Sequence, residues 1–197
     1  MSDKGTDGKD SGPGANPCPP GGATQAKPLP AARDMQRFFP GFSPEVILDV
    51  GANVGRTAER WAEAFPEARL HAFEPMPGLF RQLSARLAGQ ARIACWNLAL
   101  GDADAAAEMV PGRGPTEGRI ARPEEATAQR IPVRIRRGDS FCAEHGIARI
   151  GVLKIDTEGY DPTWTVKNVK CLFWYVKSAK SGRRGTTPGA APAAGCV

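Results

Sequence analysis

The segment VILDVGANVG, residues 46–55, constrains this chain more than any other. A continuous apolar run ending in an acid, Val46 to Val50 with Asp49, reads as a strand buried on both faces of a parallel sheet. Gly51 and Gly55 follow at once, and then apolar residues fall at Ala58, Trp61, Ala62 and Phe65, the spacing of one helix face. Strand, glycine turn and helix in that order make half of a βαβ unit. Glycines at such a turn let a ligand approach backbone N–H groups near a helix N-terminus, at the carboxyl edge of the sheet.

The unit repeats. RLHAF (69–73) supplies a second strand, and Pro77 opens a helix whose apolar face is Leu79, Phe80, Leu83 and Leu87, closed by Gly89. ARIACWNLAL (91–100) reads as one third strand. AAEMV (106–110) and IPVRIR (131–136) are expected to pair antiparallel, separated by the loop PGRGPTEG and a short helix opened by Pro123. RIGVLKID (149–156) is again apolar and again ends in an acid, after a short helix capped by Gly146. A short helix over RDMQRFF (33–39) precedes all of this and stops at Pro40. Alternating elements with buried strands define an α/β sandwich.

The ends differ from the middle. Residues 1–30 hold six Gly, six Pro and no aromatic residue, too little apolar surface to offset ordering entropy, so residues 1–32 are expected to be disordered. One domain is expected over residues 33–176, and a basic disordered tail over 177–197. Lys167, Lys170, Lys177, Lys180, Arg183 and Arg184 lie beyond Asp161 with no acid among them, and they account for the whole net charge of +5. The basicity is that of a solvated extension, so nucleic acid is not the expected partner, although a polyanion-binding arm stays an alternative. The N-terminus lacks the apolar segment of a secretory signal and no apolar run approaches a membrane span, so a cytoplasmic protein is expected. Five widely spaced cysteines without a C-x-x-C pair suggest neither a disulfide framework nor zinc, and His71 and His145 have no ligand-spaced companion; no metal is expected.

Two further segments carry candidate chemistry. HAFEP puts Glu74 at the end of the second strand, 19 residues after Gly55, where an acid accepts hydrogen bonds from a ribose 2′,3′-diol. VLKIDTEGYD puts Lys154 and Asp156 two apart on one side of a strand, with Glu158 in the turn beyond. The glycine spacing departs from the dinucleotide fingerprint G-x-G-x-x-G, and no Lys follows it as in a phosphate P-loop, which favours a ligand without pyrophosphate.

VILDVGANVG, HAFEP, NLALGD and LKIDTEGYD, in this order and at these separations, resemble the FkbM family of S-adenosylmethionine-dependent methyltransferases over about residues 45–161. The resemblance implies a Rossmann-like class I methyltransferase fold, a three-layer α/β sandwich. It implies S-adenosyl-L-methionine as cofactor, with Asp49, Gly51, Ala52, Asn53 and Gly55 under its methionine part, Glu74 on its ribose and Asn97 beside its adenine. It also implies that Lys154, Asp156 and Glu158 face a small-molecule acceptor bearing a hydroxyl, on a metabolite or sugar. Asp156 is the first candidate for the general base and Glu158 the second.

Family members continue past the E-G-Y-D segment with a helix and further strands, whereas residues 162–197 resemble none of that. The sheet is therefore expected to be incomplete in its C-terminal half. The strand over 150–155 becomes an edge, and CLFWYV (171–176), only about nine residues beyond Asp161, is expected to be antiparallel or unpaired, because a parallel crossover takes a dozen or more. A truncated remnant without activity is the alternative to an enzyme. An NAD-dependent oxidoreductase ranks below both.

Overall fold

Two sheets organise the chain. The computed structural model describes residues 29–112, 118–121, 129–156, 169–176 and 189–190. Along them run α1 (Pro30–Phe38), β1 (Val46–Val50), α2 (Arg56–Ala64), β2 (Arg69–Phe73), α3 (Pro77–Arg86), β3 (Ile93–Trp96), β4 (Ala99–Gly101) and β5 (Ala105–Pro111). There follow β6 (Gly118–Ile120), β7 (Ile131–Arg137), α4 (Gly138–Glu144), β8 (Arg149–Ile155), β9 (Lys170–Val176) and β10 (Gly189–Ala190).

The main sheet has the order β10-β9-β8-β1-β2-β3, with the four pairings from β9 to β3 parallel and only β10 antiparallel. All five residues of β1 are buried, as its unbroken apolar run required. Its alternating side chains feed two cores. Ile47 packs with Trp61 and Ala58 of α2, Leu83 of α3 and Ala32 of α1 on one face. Val46, Leu48 and Val50 pack with Phe141 and Cys142 of α4 on the other. Gly151 of β8 has no space for a side chain, since the ring of Pro44 lies flush against it.

The strands over 46–50, 69–73 and 149–155 and the antiparallel pairing of β5 with β7 stand where the sequence put them. Helix α1 starts at Pro30, three residues before the expected Arg33, because proline at the first helical position is pre-organised for it. Residues 91–100 are two strands rather than one: β3 belongs to the main sheet, and β4 opens a second sheet of order β4-β7-β5-β6. The short strand β6 closes the expected glycine loop onto β5. The helix expected after Pro123 lies outside the described residues.

The largest departure is β9. It pairs parallel with β8, from Arg149 opposite Lys170 to Ile155 opposite Val176, so β8 is an interior strand with Ile150 to Ile155 buried. The expectation failed because the crossover does not begin at Asp161. It begins at Asp156, and residues 156–169, about fourteen of them, satisfy the length a parallel connection needs. Most of the stretch 1–32 and of 177–197 lies outside the described residues; within the latter, Gly189–Ala190 pairs antiparallel with β9. Among the described residues, no helix is long and apolar enough to cross a membrane.

Beneath β2 and β3 lies a ring cluster. His71, Trp96, Phe141 and His145 pack with centroids 4.3–6.1 Å apart, and Trp96 Nε1 donates to His71 Nδ1 at 3.2 Å. Burial, with smaller contributions from His145 and Arg69, lowers the His71 pKa to about 4. The unfolded chain therefore binds this proton more tightly than the folded one. Stability from this group is complete above pH 6.5 and drains as pH falls towards 4, about 2 kcal/mol of it by pH 5. Urea unfolding of wild type and His71→Phe at pH 6.5 and pH 5 is expected to give a smaller acid loss in the variant; equal losses would place the titration elsewhere.

Candidate functional site

The glycine loop takes its shape from the strands beside it. Gly51 has φ +73°, Asn53 +54° and Gly55 +83°. At Gly51 a Cβ would overlap the carbonyl oxygen of Asp156, so the ends of β1 and β8 come together only around a glycine. At Gly55, which caps α2, a Cβ would lie 2.9 Å from Leu83 Cδ1 of α3. Arg86 of α3 donates from Nε to Val54 O at 2.8 Å and ties the loop to that helix.

The loop amides do not face a ligand, contrary to the expectation from sequence. Gly51 N and Ala52 N both donate to Phe73 O, at 3.0 and 2.9 Å. Asn53 N donates to Glu74 Oε2 at 2.9 Å, Val54 N to Asn53 Oδ1 at 2.8 Å and Gly55 N to Ala52 O at 2.9 Å. The five donors are satisfied within the protein, because a turn this tight brings β2 and its terminal acid within reach. What the loop offers is shape and the side of Asn53.

Glu74 is 5% exposed and grips both sides of its own turn. Besides Asn53 N, its carboxylate accepts from Met76 N at 2.9 Å through Oε1. Asn97 braces the same turn from the other side. Its Nδ2 donates to Glu74 O and Pro75 O at 2.9 and 3.0 Å, holding the β2–α3 connection against the break between β3 and β4.

Lys154, which the resemblance turns towards an acceptor, is drawn into the junction of β8 and β1. Its ammonium is buried, 2.8 Å from Asp49 Oδ1, and donates to Gly51 O at 2.7 Å. Asp156 Oδ2 stands 3.9 Å away, so the expected shared side holds. The long side chain crosses between β8 and β1 because Asp49, wholly buried beside it, is the charge that compensates it there. Burial pushes the Asp49 carboxyl above its ordinary range, with Lys154 opposing. Its Oδ2 makes no hydrogen bond among the described residues.

Above this network, at the ends of β1, β2 and β8, opens a cleft. Gly51, Asn53, Glu74 and Asp156 line it, whereas Asp49, Ala52, Gly55 and Asn97 are not among its lining residues. Glu158 lies outside the described residues. The opposite wall was missed in the sequence: Met76, Leu79, Met109, Ile120 and Ile135 bring apolar side chains from α3 and the second sheet. The alternation of AAEMV and IPVRIR announced two strands, but not which site their inner faces would cover.

The cleft thus combines two carboxylates, one amide side chain, Arg119 of β6 and an apolar wall at the carboxyl edge of parallel strands. Among the described residues no group of three or more potential metal ligands gathers. The chain is 27% identical over 129 residues to the 2-O-methyltransferase NoeI of Sinorhizobium fredii, an alignment covering 58% of this chain and 53% of that protein. It is 28% identical over 151 residues to the AMB antimetabolite synthetase AmbE of Pseudomonas aeruginosa, covering 57% of this chain and 7% of that one. The chain therefore matches about half the length of the first relative and a small part of the second. Residues 49–163, more than half of the chain and the span holding every cleft residue named above, match the family described as the methyltransferase FkbM domain, and the protein belongs to that family.

Proposed function

We propose that the protein is an S-adenosyl-L-methionine-dependent methyltransferase of the Rossmann-like class I type, a three-layer sandwich, acting on a hydroxyl oxygen of a small metabolite or sugar. The observation that carries this reading is Glu74, which lines the cleft at the end of β2 beside the loop of β1, inside the family match. The donor set fits a nucleoside-bearing cofactor: a carboxylate oxygen accepts two hydrogen bonds, so Glu74 can clasp its turn and still receive a ribose hydroxyl. The name of the Sinorhizobium relative, a 2-O-methyltransferase, supports oxygen as the acceptor atom.

When bound, the cofactor supplies a sulfonium methyl open to in-line displacement. Glu74 would hold its ribose, and Asn53 with the glycine loop would lie under its methionine part. Asp156, on the opposite bank of the loop and lining the cleft, takes the hydroxyl proton of the acceptor as the oxygen gains the methyl. Lys154 fixes the floor under both banks by holding Asp49 and the Gly51 carbonyl, and does not touch the acceptor.

Isothermal titration with S-adenosylhomocysteine tests this without knowledge of the acceptor. Wild type is expected to bind, and Glu74→Ala to bind about 1.5–3 kcal/mol more weakly, roughly 10–150-fold. Absence of wild-type binding refutes the reading. Binding by wild type without turnover over a panel of hydroxylated acceptors favours a cofactor-binding remnant.

A further inference from the structure

We propose that Arg119 selects the methyl acceptor, and that the acceptor is acidic: a small molecule whose anionic group meets the Arg119 guanidinium while its hydroxyl meets Asp156. The inference rests on the methyl-transfer reading above and narrows the acceptor from any small hydroxyl compound to an anionic one.

The charge of the cleft is uneven. Glu74 and Asp156 bring two carboxylates to it, and Arg119 is the one cation among the described residues that line it. Lys154 lies beneath, engaged with Asp49 and the Gly51 carbonyl, and presents no charge to the opening. Arg130, Arg136 and Arg137, beside or within the same second sheet, stand outside the lining and pair with Glu108, with Asp104 and Glu144, and with Asp139. Arg119 differs from them in its place.

That place follows from β6. The strand is the outer one of its sheet and bonds to β5, and all three of its residues line the cleft. Side chains alternate along a strand, so a β6 that covered the cleft with one face would turn Arg119 away from it. Arg119 reaches the opening because the edge of β6 borders it. Gly118 allows this approach, since a Cβ there would lie 3.3 Å from Met109 Cε and 3.4 Å from Met76 Cγ and Sδ. The arginine is exposed at this rim, and its Nη1 donates to Ile120 O at 3.4 Å, which lays the guanidinium along β6.

A planar guanidinium matches two oxygens of a carboxylate, phosphate or sulfate at once, whereas a neutral sugar offers it no charge to meet. Without a cation, an acidic acceptor approaching Asp156 would meet only like charge. Arg119 draws such an acceptor to the opening. It also belongs to the wall built by the second sheet, while Asp156 closes β8, so a molecule held by both presents one hydroxyl to the base. The contact contributes binding and orientation and adds no step to the transfer.

Methyl transfer from S-adenosyl-L-methionine to acceptors that differ in charge tests this: glucose against glucuronic acid and glucose 6-phosphate, and glycerol against glyceric acid. Wild type, Arg119→Lys and Arg119→Met are compared. In wild type the acidic member of a set is expected to show a kcat/KM about tenfold or more above the neutral one, a modest worth for hydrogen bonds to a charged group. In Arg119→Met that ratio should fall towards one through a higher KM for the acid, and Arg119→Lys, which keeps the charge without the fork, should retain part of it. Titration should give one S-adenosylhomocysteine affinity for all three proteins. A neutral acceptor used as well as its acidic partner, a preference that survives in Arg119→Met, or no transfer to any acidic acceptor overturns the proposal. So does an Arg119→Met protein that binds S-adenosylhomocysteine more weakly but 5′-methylthioadenosine normally, because the arginine then serves the carboxylate of the cofactor; in that case the cofactor reading stands. Failure of the wild type to bind S-adenosylhomocysteine overturns both.

Discussion

Lys154→Met is expected to destabilise the protein by about 3–5 kcal/mol at pH 8, the usual consequence of stripping one partner from a buried ion pair. Both side chains are essentially out of water, and the ammonium stands 2.8 Å from Asp49 Oδ1. Removing it leaves a carboxylate buried beside Asp156, whose charge already works against ionisation of Asp49. The sign of the pH dependence follows. A carboxyl whose folded pKa is raised stabilises the fold below its unfolded pKa and loses that contribution as pH rises through the folded value. Burial raises the Asp49 pKa even with Lys154 present, and the variant raises it further. Relative to wild type at the same pH, the penalty should therefore be smaller at pH 5 than at pH 8. The double variant Asp49→Asn with Lys154→Met, neutral at both positions, should recover much of the loss. Urea unfolding of the three proteins at both pH values decides the matter; a Lys154→Met deficit under about 1 kcal/mol at pH 8 would mean the pair is hydrated rather than buried.

The elements legible in the sequence share one property: their burial is dictated locally. VILDV, RLHAF and RIGVLKI are apolar for most of their length and end near an acid, which an interior parallel strand tolerates, and each stands within a residue of its expected limits. The break between β3 and β4 was not legible. Nothing in IACWNLALG interrupts an apolar strand; the chain turns because Asn97 bonds to the carbonyls of Glu74 and Pro75, more than twenty residues away. The parallel placement of β9 was hidden for a different reason. A crossover is measured from where the preceding strand ends, and Asp156, not Asp161, marks that end.

The site divides along the same line. Its polar half follows from acids and glycines at strand ends, and Gly51, Asn53, Glu74 and Asp156 do meet at one cleft. Its apolar half does not, since Met109, Ile120 and Ile135 reach the cleft only through the register of β5 against β6 and β7. Lys154 shows how spacing can place a residue on the right side of a strand without assigning its role. Two-residue periodicity set it beside Asp156, but only the depth of Asp49 draws the ammonium inward.

Gly51→Ala is expected to cost about 2–5 kcal/mol, combining roughly 1–2 kcal/mol for a side chain at positive φ with about 1–3 kcal/mol for overpacking against a neighbour that cannot move freely. That neighbour is backbone, the Asp156 carbonyl, and its own residue is fixed by Asp156 N donating to Val50 O at 3.0 Å. Gly146 supplies the internal control. It has φ +63°, also in the left-handed region, yet a Cβ there meets nothing within 4 Å, so Gly146→Ala should cost only the conformational share, about 1–2 kcal/mol. The excess loss in Gly51→Ala then measures the close approach of β1 and β8 alone. It also has a functional consequence, because relief of the overlap must displace Asp156, which lines the cleft, or Gly51, which forms its floor. S-adenosylhomocysteine affinity is accordingly expected to fall in Gly51→Ala and to stay at the wild-type value in Gly146→Ala, with titrations made under conditions where both variants remain folded. Equal unfolding free energies for the two variants would reduce the role of Gly51 to that of an ordinary turn.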